Sequence, residues 1–392
     1  MLTTLPAFGQ TLAFSAALGA ALLSPSTWAQ ATTETAAAGI ERSLSAMAEA
    51  ATAGDGQAYL EHVAIDEPEF RTEQIAWAKD IGRIAPDVLV YELLTEPELA
   101  ADGTATADLR ITWNTPNWEA PDRTIELPAR FVPDGGGGWG FGGRAWNELD
   151  AEGLRVLYTD GLRSQAEAAV DFWPEVKAHV ETGFEMRLDH PQVVKLYADM
   201  SELQLSIYPS YAEPLGGWNE PGESIKLVAG DFGPGYLKTV LAHEYGHALS
   251  FAMGPPEIAA QVEFAHAVPW WVLEGTAELA AARFSRDWSR TRRMVEHWHA
   301  NGKLIAFDRI TNFYETDPAD YRYVYTMGEH MVAYLSERFG RTKRNEWLRA
   351  MMNGSTLEEA SSDVLGESFQ DLDNAWRASI TSDVQGQRPG VD

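Results

Sequence analysis

Cysteine is absent from this chain of 392 residues. Its absence excludes disulfide bonds, thiolate metal sites and cysteine nucleophiles. Any metal site in the protein must therefore be built from histidine and carboxylate ligands.

Basic residues are few relative to acidic ones. The chain has 30 Lys and Arg against 58 Asp and Glu, which gives a formal net charge of −28. Nucleic acid and anionic membrane surfaces repel such a chain, so we expect neither as a partner. A well-solvated surface explains the excess of acid, and recognition of a basic partner is the alternative.

Long apolar runs are confined to the N-terminus. Leu12–Leu23 has the length and alanine content of a signal-peptide core, and an A-x-A cleavage pattern ends at Ala31. No basic residue precedes the run, since the first in the chain is Arg42, and an uncleaved anchor is the alternative. The pattern predicts a signal peptide over 1–31, cleaved after Ala29 or Ala31. The mature protein is then periplasmic or extracellular, without stable membrane association.

The remaining sequence divides into two parts with different patterns. The first part has two or three helical segments, followed by four segments with period-two alternation at Val88–Leu94, Thr104–Trp113, Arg123–Val132 and Trp139–Trp146. This order predicts a small α+β domain over 32–150, and its pattern resembles the cone-shaped nuclear-transport-factor-2-like fold. Strands and helices alternate beyond it, which predicts a second domain over 151–385. The expected fold class is α+β.

The pentapeptide His243-Glu244-Tyr245-Gly246-His247 carries the strongest chemical signal. Residues four apart lie on one face of a helix, so His243 and His247 can hold one metal ion together. Glu244 is offset by one residue and can act as general base towards a water molecule. This pattern predicts one Zn²⁺ per chain. The alternative interpretation is a pair of satisfied core histidines.

Two histidines leave a catalytic zinc ion without its third protein ligand. The next predicted helix contains Glu274 and Glu278, which lie one turn apart on one face. Glu274 is the candidate ligand. Glu278 is an acceptor that orients a ligand histidine, a surface charge, or the ligand itself. Trp270 and Trp271 on the same helix are interpreted as packing residues, with a substrate subsite as the alternative.

The combination of H-E-x-x-H with W-x-x-E-G on the next helix resembles the signature of gluzincin zinc metallopeptidases. The resemblance is to the secreted peptidase MA-like type and, more distantly, to aminopeptidase N-type catalytic domains, over roughly Leu154–Trp376. It implies a thermolysin-like catalytic domain with a mixed sheet and a helical C-terminal part. It also implies that His243, His247 and Glu274 bind zinc, with Glu244 as the base.

The chain departs from the aminopeptidase N-type pattern in two ways. The separation of His247 and Glu274 is 274 − 247 = 27 positions, several more than in those enzymes. The excess is interpreted as a loop insertion over Gly254–Val268, where His266 is a further residue that could line the cleft. The G-A-M-E-N box, which holds the free amine of the substrate, is missing. We therefore expect a general peptidase or an endopeptidase.

The same resemblance implies a role for one tyrosine. Aminopeptidase N-type enzymes use the tyrosine of a Y-x-x-G segment to stabilise the oxyanion, and Tyr325-Thr326-Met327-Gly328 matches that segment. Tyr325 is the candidate, with Tyr321 and Tyr323 as alternatives. The apolar strand predicted over Ser224–Ala229 is expected to pair with an extended substrate.

These features predict a zinc-dependent peptidase that hydrolyses a peptide or protein substrate with a metal-activated water. The alternative from another class is a catalytically silent secreted binding protein. Such a protein would retain the zinc site and use its N-terminal domain to bind a partner or ligand. A zinc hydrolase that acts on a non-peptide bond is a third possibility.

Overall fold

The computed structural model describes residues 33–64, 67–118, 121–230, 233–255, 268–285 and 288–380. The predicted signal peptide, most of the predicted insertion and His266 lie outside these ranges. Within them, no helix has both the length and the apolar character needed to cross a membrane. The fold is α+β, as the sequence predicts.

The N-terminal part packs helices against one antiparallel sheet. Its helices are α1 (Thr33–Thr52), α2 (Gly56–Leu60) and α3 (Pro68–Arg83). Its strands are β1 (Val88–Leu93), β2 (Glu98–Leu99), β3 (Ala105–Asn114), β4 (Arg123–Pro133) and β5 (Trp139–Arg144). The sheet has the order β1-β3-β4-β5, with β2 beside β3. The likeness to the nuclear-transport-factor-2-like fold stays a prediction.

The core of this part is formed by residues that recur at strand spacing in β3 and at helical spacing in α1. Alternate residues of β3 are buried from Ala105 to Trp113, as expected for a strand with one covered face. The buried residues of α1 recur at helical spacing: Ala36, Ile40, Leu44, Met47 and Ala51. Leu205, which is distant in sequence, joins the same core.

A second, mixed sheet organises the rest of the chain. Its strands are β6 (Asn147–Ala151), β7 (Leu154–Tyr158), β8 (Gln192–Tyr197), β9 (Gly217–Glu220) and β10 (Ser224–Val228). Their order is β6-β7-β8-β10-β9. β7, β8 and β10 run parallel, and the two end strands are antiparallel to their neighbours. The sheet starts at Asn147, slightly before the domain boundary predicted at Asp150.

This second part also contains α-helices. They are α4 (Arg163–Phe184), α5 (Met200–Ile207), α6 (Pro234–Phe251), α7 (Trp270–Ala281), α8 (Trp288–Ala300), α9 (Tyr321–Phe339), α10 (Arg341–Met352), α11 (Leu357–Ala360) and α12 (Phe369–Ser379). All of those described except α5 share one large hydrophobic core with the sheet. A π-helical turn over Ser361–Leu365 continues α11.

Glycines set the close approach of α6, α7 and α9. A Cβ atom on Gly275 of α7 would lie 2.2 Å from the carbonyl carbon of Gly328 on α9. A Cβ atom on Gly328 would in turn lie 2.4 Å from the carbonyl oxygen of Trp271. On α6, a Cβ atom at Gly246 would be 3.2 Å from the Cβ of Ala280. These glycines belong to the three sequence motifs, and they fix the distance between the helices that carry them.

Ser210, which follows α5, is held by polar groups of the N-terminal part. The carboxylate of Asp80 accepts hydrogen bonds from the backbone N–H of Ser210 at 2.8 Å and from its hydroxyl at 2.7 Å. Arg83 donates to the same hydroxyl at 3.2 Å, and Asn117 donates to the Ser210 carbonyl at 3.0 Å. The chain on either side of Ser210 is therefore anchored from the N-terminal part.

A buried charge network also joins the two parts. Glu73 of α3 lies 3.1 Å from the Nζ of Lys195 on β8 and 3.5 Å from the Nζ of Lys226 on β10. Both lysines also pair with Glu223. Burial alone would lower the pKa of Lys226, but Glu223 and Glu73 raise it above its usual value. Each buried cation of this network thus faces two carboxylates.

Candidate metal centre

Three side-chain atoms from α6 and α7 converge on one point. The Nε2 atoms of His243 and His247 are 3.1 Å apart, and the Oε2 of Glu274 lies 3.2 Å from the first and 3.4 Å from the second. Ligand atoms at tetrahedral positions about 2.0 to 2.1 Å from one ion are separated by about 3.3 Å. The three atoms therefore fit a single metal ion, and this group can hold one.

The two histidines meet because they lie one turn apart on α6, as the motif predicts. α6 begins with Pro234 at a position where its missing N–H costs nothing. The helix is apolar on more than one side because it packs between the sheet and α7. His243 and His247 occupy the side that faces α7, where their imidazole rings meet edge to face.

Glu274 is oriented by a residue on its own helix. The indole Nε1–H of Trp270 donates to the Oε1 of Glu274 at 2.9 Å, which leaves Oε2 turned towards the histidines. Trp271 is fully buried and packs against Phe307 and Phe369. The interpretation of both tryptophans as packing residues is thus confirmed for Trp271, whereas Trp270 also positions a candidate ligand. Because Trp270 and Glu274 are four residues apart on one helix, their spacing in the sequence already indicates that the two side chains can meet.

Glu278 lies on the far side of the His243 ring. Its Oε1 is 3.4 Å from the Nδ1 of His243, whereas the metal-facing atom of that ring is Nε2. Glu278 does not belong to the ligand triangle. Of the three interpretations of Glu278, this position fits an acceptor that orients the ligand His243. The Nδ1 of His247 has no partner among the described residues.

Burial and mutual charges set the ionisation of this cluster when no metal is bound. Burial alone would lower the pKa of His243, but the carboxylates of Glu274, Glu278 and Glu244 raise it to about 10. Burial would raise the pKa of Glu274, but His247 and His243 hold it well below its usual value. Burial raises the pKa of both Glu244 and Glu278. A divalent cation can replace the proton that His243 otherwise carries.

Glu244 is buried beneath strand β9. Only 4% of Glu244 is exposed, and a Cβ atom at Gly217 would lie 2.6 Å from its Oε1. Gly216–Gly222 is rich in residues typical of turns, but part of it forms β9 at the end of the sheet. Gly217 is therefore a site residue that the sequence interpretation missed, because only the fold brings it to Glu244.

The prediction that the strand over Ser224–Ala229 pairs with substrate is wrong. β10, which covers Ser224–Val228, bonds to β8 on one side and to β9 on the other, so neither edge is open. β9 is the end strand, and its residues line the cavity beside the metal ligands. Any strand addition at this site must use β9.

The three candidate tyrosines on α9 point to different places. The ring centroid of Tyr325 is 6.4 Å from that of His243 and 6.1 Å from that of Trp270. Tyr321 also contacts Trp270, with centroids 5.0 Å apart. Tyr323 packs against Trp298 and does not line the cavity. Tyr325 thus lies beside the candidate ligand His243, whereas Tyr321 lies beside Trp270.

A cavity of about 520 Å³ contains the site. Glu244, Glu274 and Glu278 lie in its wall, together with aromatic side chains that include Tyr208 and Tyr211. No Lys or Arg occurs among the described residues of this wall. His330 on α9 accepts a hydrogen bond from Trp376 and lies outside the cavity wall.

Comparison of the chain with protein-family models and with curated proteins found no match.

Proposed function

We propose that this protein is a periplasmic or extracellular zinc-dependent peptidase of the gluzincin type. The observation that carries the proposal is the triangle of His243 Nε2, His247 Nε2 and Glu274 Oε2, with separations of 3.1 to 3.4 Å. The buried carboxylate of Glu244 projects from the same helix into the same cavity. The signal-peptide pattern at the N-terminus supports the location.

Zinc is the ion that suits these donors. Two imidazole nitrogens and one carboxylate oxygen form a common donor set of catalytic zinc sites, and such sites keep one position open for water or substrate. When bound, zinc supplies Lewis-acid activation of the scissile carbonyl and of a water molecule. Trp270 and Glu278 keep Glu274 and His243 in their binding orientations, as residues behind a metal site commonly do.

The proton transfers belong to Glu244. Its carboxylate accepts a proton from the attacking water and then delivers it to the leaving amine. Because β9 covers this carboxylate, bulk water has little access to it. The hydroxyl of Tyr325, beside His243, donates a hydrogen bond to the developing oxyanion.

The substrate is an extended peptide or protein segment. β9 is the end strand of the sheet and runs along the cavity, so a peptide can pair with it through backbone hydrogen bonds. Gly216 and Gly217 let β9 lie close to α6, since a side chain at either position would meet Tyr236 or Glu244.

The proposal is tested by a Glu244→Gln variant of the purified protein. We expect wild type to bind one zinc ion per chain and to cleave members of a broad peptide library. Glu244→Gln should bind the same amount of zinc and lose activity by about 10²- to 10⁴-fold. A chelator should abolish wild-type activity, and added zinc should restore it. Glu126→Gln, an exposed change in the N-terminal sheet, is the matched control.

Two results would contradict this function. Zinc-loaded wild type that cleaves no peptide would favour the silent binding protein, and cleavage of a non-peptide bond instead would favour another zinc hydrolase. If Glu244→Gln retained full activity, Glu244 would not be the base.

A further inference from the structure

A second cavity, of about 430 Å³, lies against the opposite face of α7 from the metal centre. Leu279 and Ala280 contribute to its wall, and helical geometry turns them away from the face that carries Glu274 and Glu278. The rest of the wall comes from the C-terminal end of α4, from α9 and from the first turn of α10. Nothing in the proposed peptidase mechanism uses this cavity.

Arg344 in this wall is a buried cation that has no ion pair with any residue the structure describes. The residue is 4% exposed. Its Nη2 donates to the carbonyl of Gly183 at 2.7 Å, and its guanidinium lies 5.8 Å from the ring centroid of Phe184. Its Nε has no hydrogen-bond partner in the described part of the chain. Buried charges are usually paired, because removing an ion from water is costly.

The contrast with the buried lysines shows how unusual Arg344 is. Lys195 and Lys226 are similarly buried, and each lies within ion-pair distance of both Glu73 and Glu223. No described carboxylate lies that close to Arg344. Burial and the neighbouring Arg341 together lower the pKa of Arg344 to about 10, although Glu185 acts in the opposite direction. A binding partner with negative charge would relieve both effects.

The first turn of α10 adds a second attraction for anions. This turn contains Arg341, Lys343 and Arg344 and has no acidic residue. The N-terminus of a helix favours negative charge, so a cationic first turn is unfavourable unless an anion lies nearby. Glu185 supplies one carboxylate, which accepts hydrogen bonds from Thr342 at 3.0 Å and Asn345 at 3.3 Å. Arg341 lies 3.5 Å from Glu185, and the exposed Lys343 pairs with Glu346 outside the cavity wall. Glu337 also lies in the wall. Arg344 is therefore the cation of this turn that has no ion pair among the described residues.

We propose that this cavity binds an oxyanion, as a phosphate or carboxylate group of a small molecule, through Arg344 and the start of α10. The planar guanidinium suits both groups because it can donate two parallel hydrogen bonds. Ser336 and Thr342 place hydroxyl groups in the same wall, and Val180, Phe184 and Leu279 supply apolar surface for the rest of the molecule. The volume lies in the range of small-molecule sites.

The test uses the full-length protein with inorganic phosphate, acetate and succinate as probes. Thermal unfolding and titration calorimetry are measured at constant ionic strength, with NaCl as the balancing salt. We expect at least one oxyanion to bind saturably and to raise the Tm, whereas NaCl alone does neither. The phosphate and carboxylate arms identify which group the cavity prefers.

Arg344→Met is the decisive variant, because methionine keeps an unbranched chain and removes the charge. We expect its affinity for the preferred anion to fall by about tenfold or more, with a Tm in anion-free buffer equal to or above that of wild type. Lys343→Met removes one charge from the same turn at an exposed position and is the matched control. It should bind the anion nearly as well as wild type.

Three outcomes would overturn the proposal. The first is the absence of saturable binding of every oxyanion to wild type, which needs no variant. The second is equal binding by wild type and Arg344→Met, which would place the anion elsewhere, including at the metal centre. The third is a large loss of stability of Arg344→Met in anion-free buffer together with unchanged stability of wild type in phosphate, which would make Arg344 a structural residue.

Discussion

The two cavities on opposite faces of α7 differ in their charged residues: glutamates without Lys or Arg line one of them, whereas two arginines and two glutamates line the other among the described residues. Towards the metal centre, α7 presents Glu274 and Glu278, and no Lys or Arg occurs among the described residues of that wall. Towards the other cavity it presents Leu279 and Ala280, opposite the arginines of α10. The acidic excess behind the net charge of −28 is therefore not distributed evenly between the two sites. Local chemistry depends on which side chains the helices bring together.

A change at Gly275 should affect both cavities, with the largest expected effect on stability. In Gly275→Ala, the new methyl group would meet the backbone of Gly328 at 2.2 Å, so α7 and α9 must move apart. We expect a loss of about 3 kcal/mol in the free energy of unfolding, with weaker binding of zinc and of the oxyanion. Denaturant unfolding and the two binding assays measure these effects.

The control for Gly275 is Gly82→Ala on α3, where a Cβ atom meets nothing within 4 Å. That change should stabilise the protein by up to about 1 kcal/mol, because alanine is the better helix former. If Gly275→Ala were as stable as wild type, the close crossing of α7 and α9 would be wrong.

A change at Tyr325 should affect the cavity of the candidate metal centre and leave the second cavity unchanged. Tyr325→Phe removes only the hydroxyl near His243, so we expect kcat to fall by about 100-fold, or about 3 kcal/mol of transition-state stabilisation. Zinc content and oxyanion binding should not change. Tyr323→Phe, on the same helix but packed against Trp298, is the control and should keep full activity. If Tyr321→Phe lost activity and Tyr325→Phe did not, the oxyanion donor would be Tyr321.

The smallest expected effect comes from a change at Glu278, and it should be limited to zinc binding. Glu278→Gln keeps an oxygen near the Nδ1 of His243 but removes the charge that supports this ligand. We expect zinc affinity to fall by about tenfold, as measured by competition with a chelator, and oxyanion binding to stay as in wild type. Glu296→Gln on α8, which replaces an exposed partner of Arg292, is the control. Complete loss of zinc from Glu278→Gln would mean that Glu278 is itself a ligand.

Local spacing made much of the metal centre predictable from the sequence. His243 and His247 are one turn apart on α6, and Glu274 begins the acidic pair on the next helix, so their approach required only that two neighbouring helices pack together. The strands of the first sheet were predicted for a similar reason. The period-two pattern of β3 and β4 reflects one covered face of each strand.

Long-range contacts produced what the sequence did not predict. β9 has a glycine- and turn-rich sequence with low strand propensity, and it is a strand because β10 provides its hydrogen-bond partners. Gly217 matters because Glu244 lies beneath it, and Arg344 matters because its Nε has no hydrogen-bond partner among the described residues. Neither relation has a signature in local sequence, since the environment of each residue is set by segments that are far apart along the chain.

The contacts of Ser210 have a consequence for how this protein can be divided. Asp80 and Asn117 hold Ser210 between Tyr208 and Tyr211, two residues that line the metal cavity. A fragment cut at the start of β6 would lose these anchors, and it would lose Glu73 from the buried lysines as well. The N-terminal part thus holds in place a segment that contributes Tyr208 and Tyr211 to the cavity wall. We therefore expect the second part to require the N-terminal part in any expressed or engineered form of the protein.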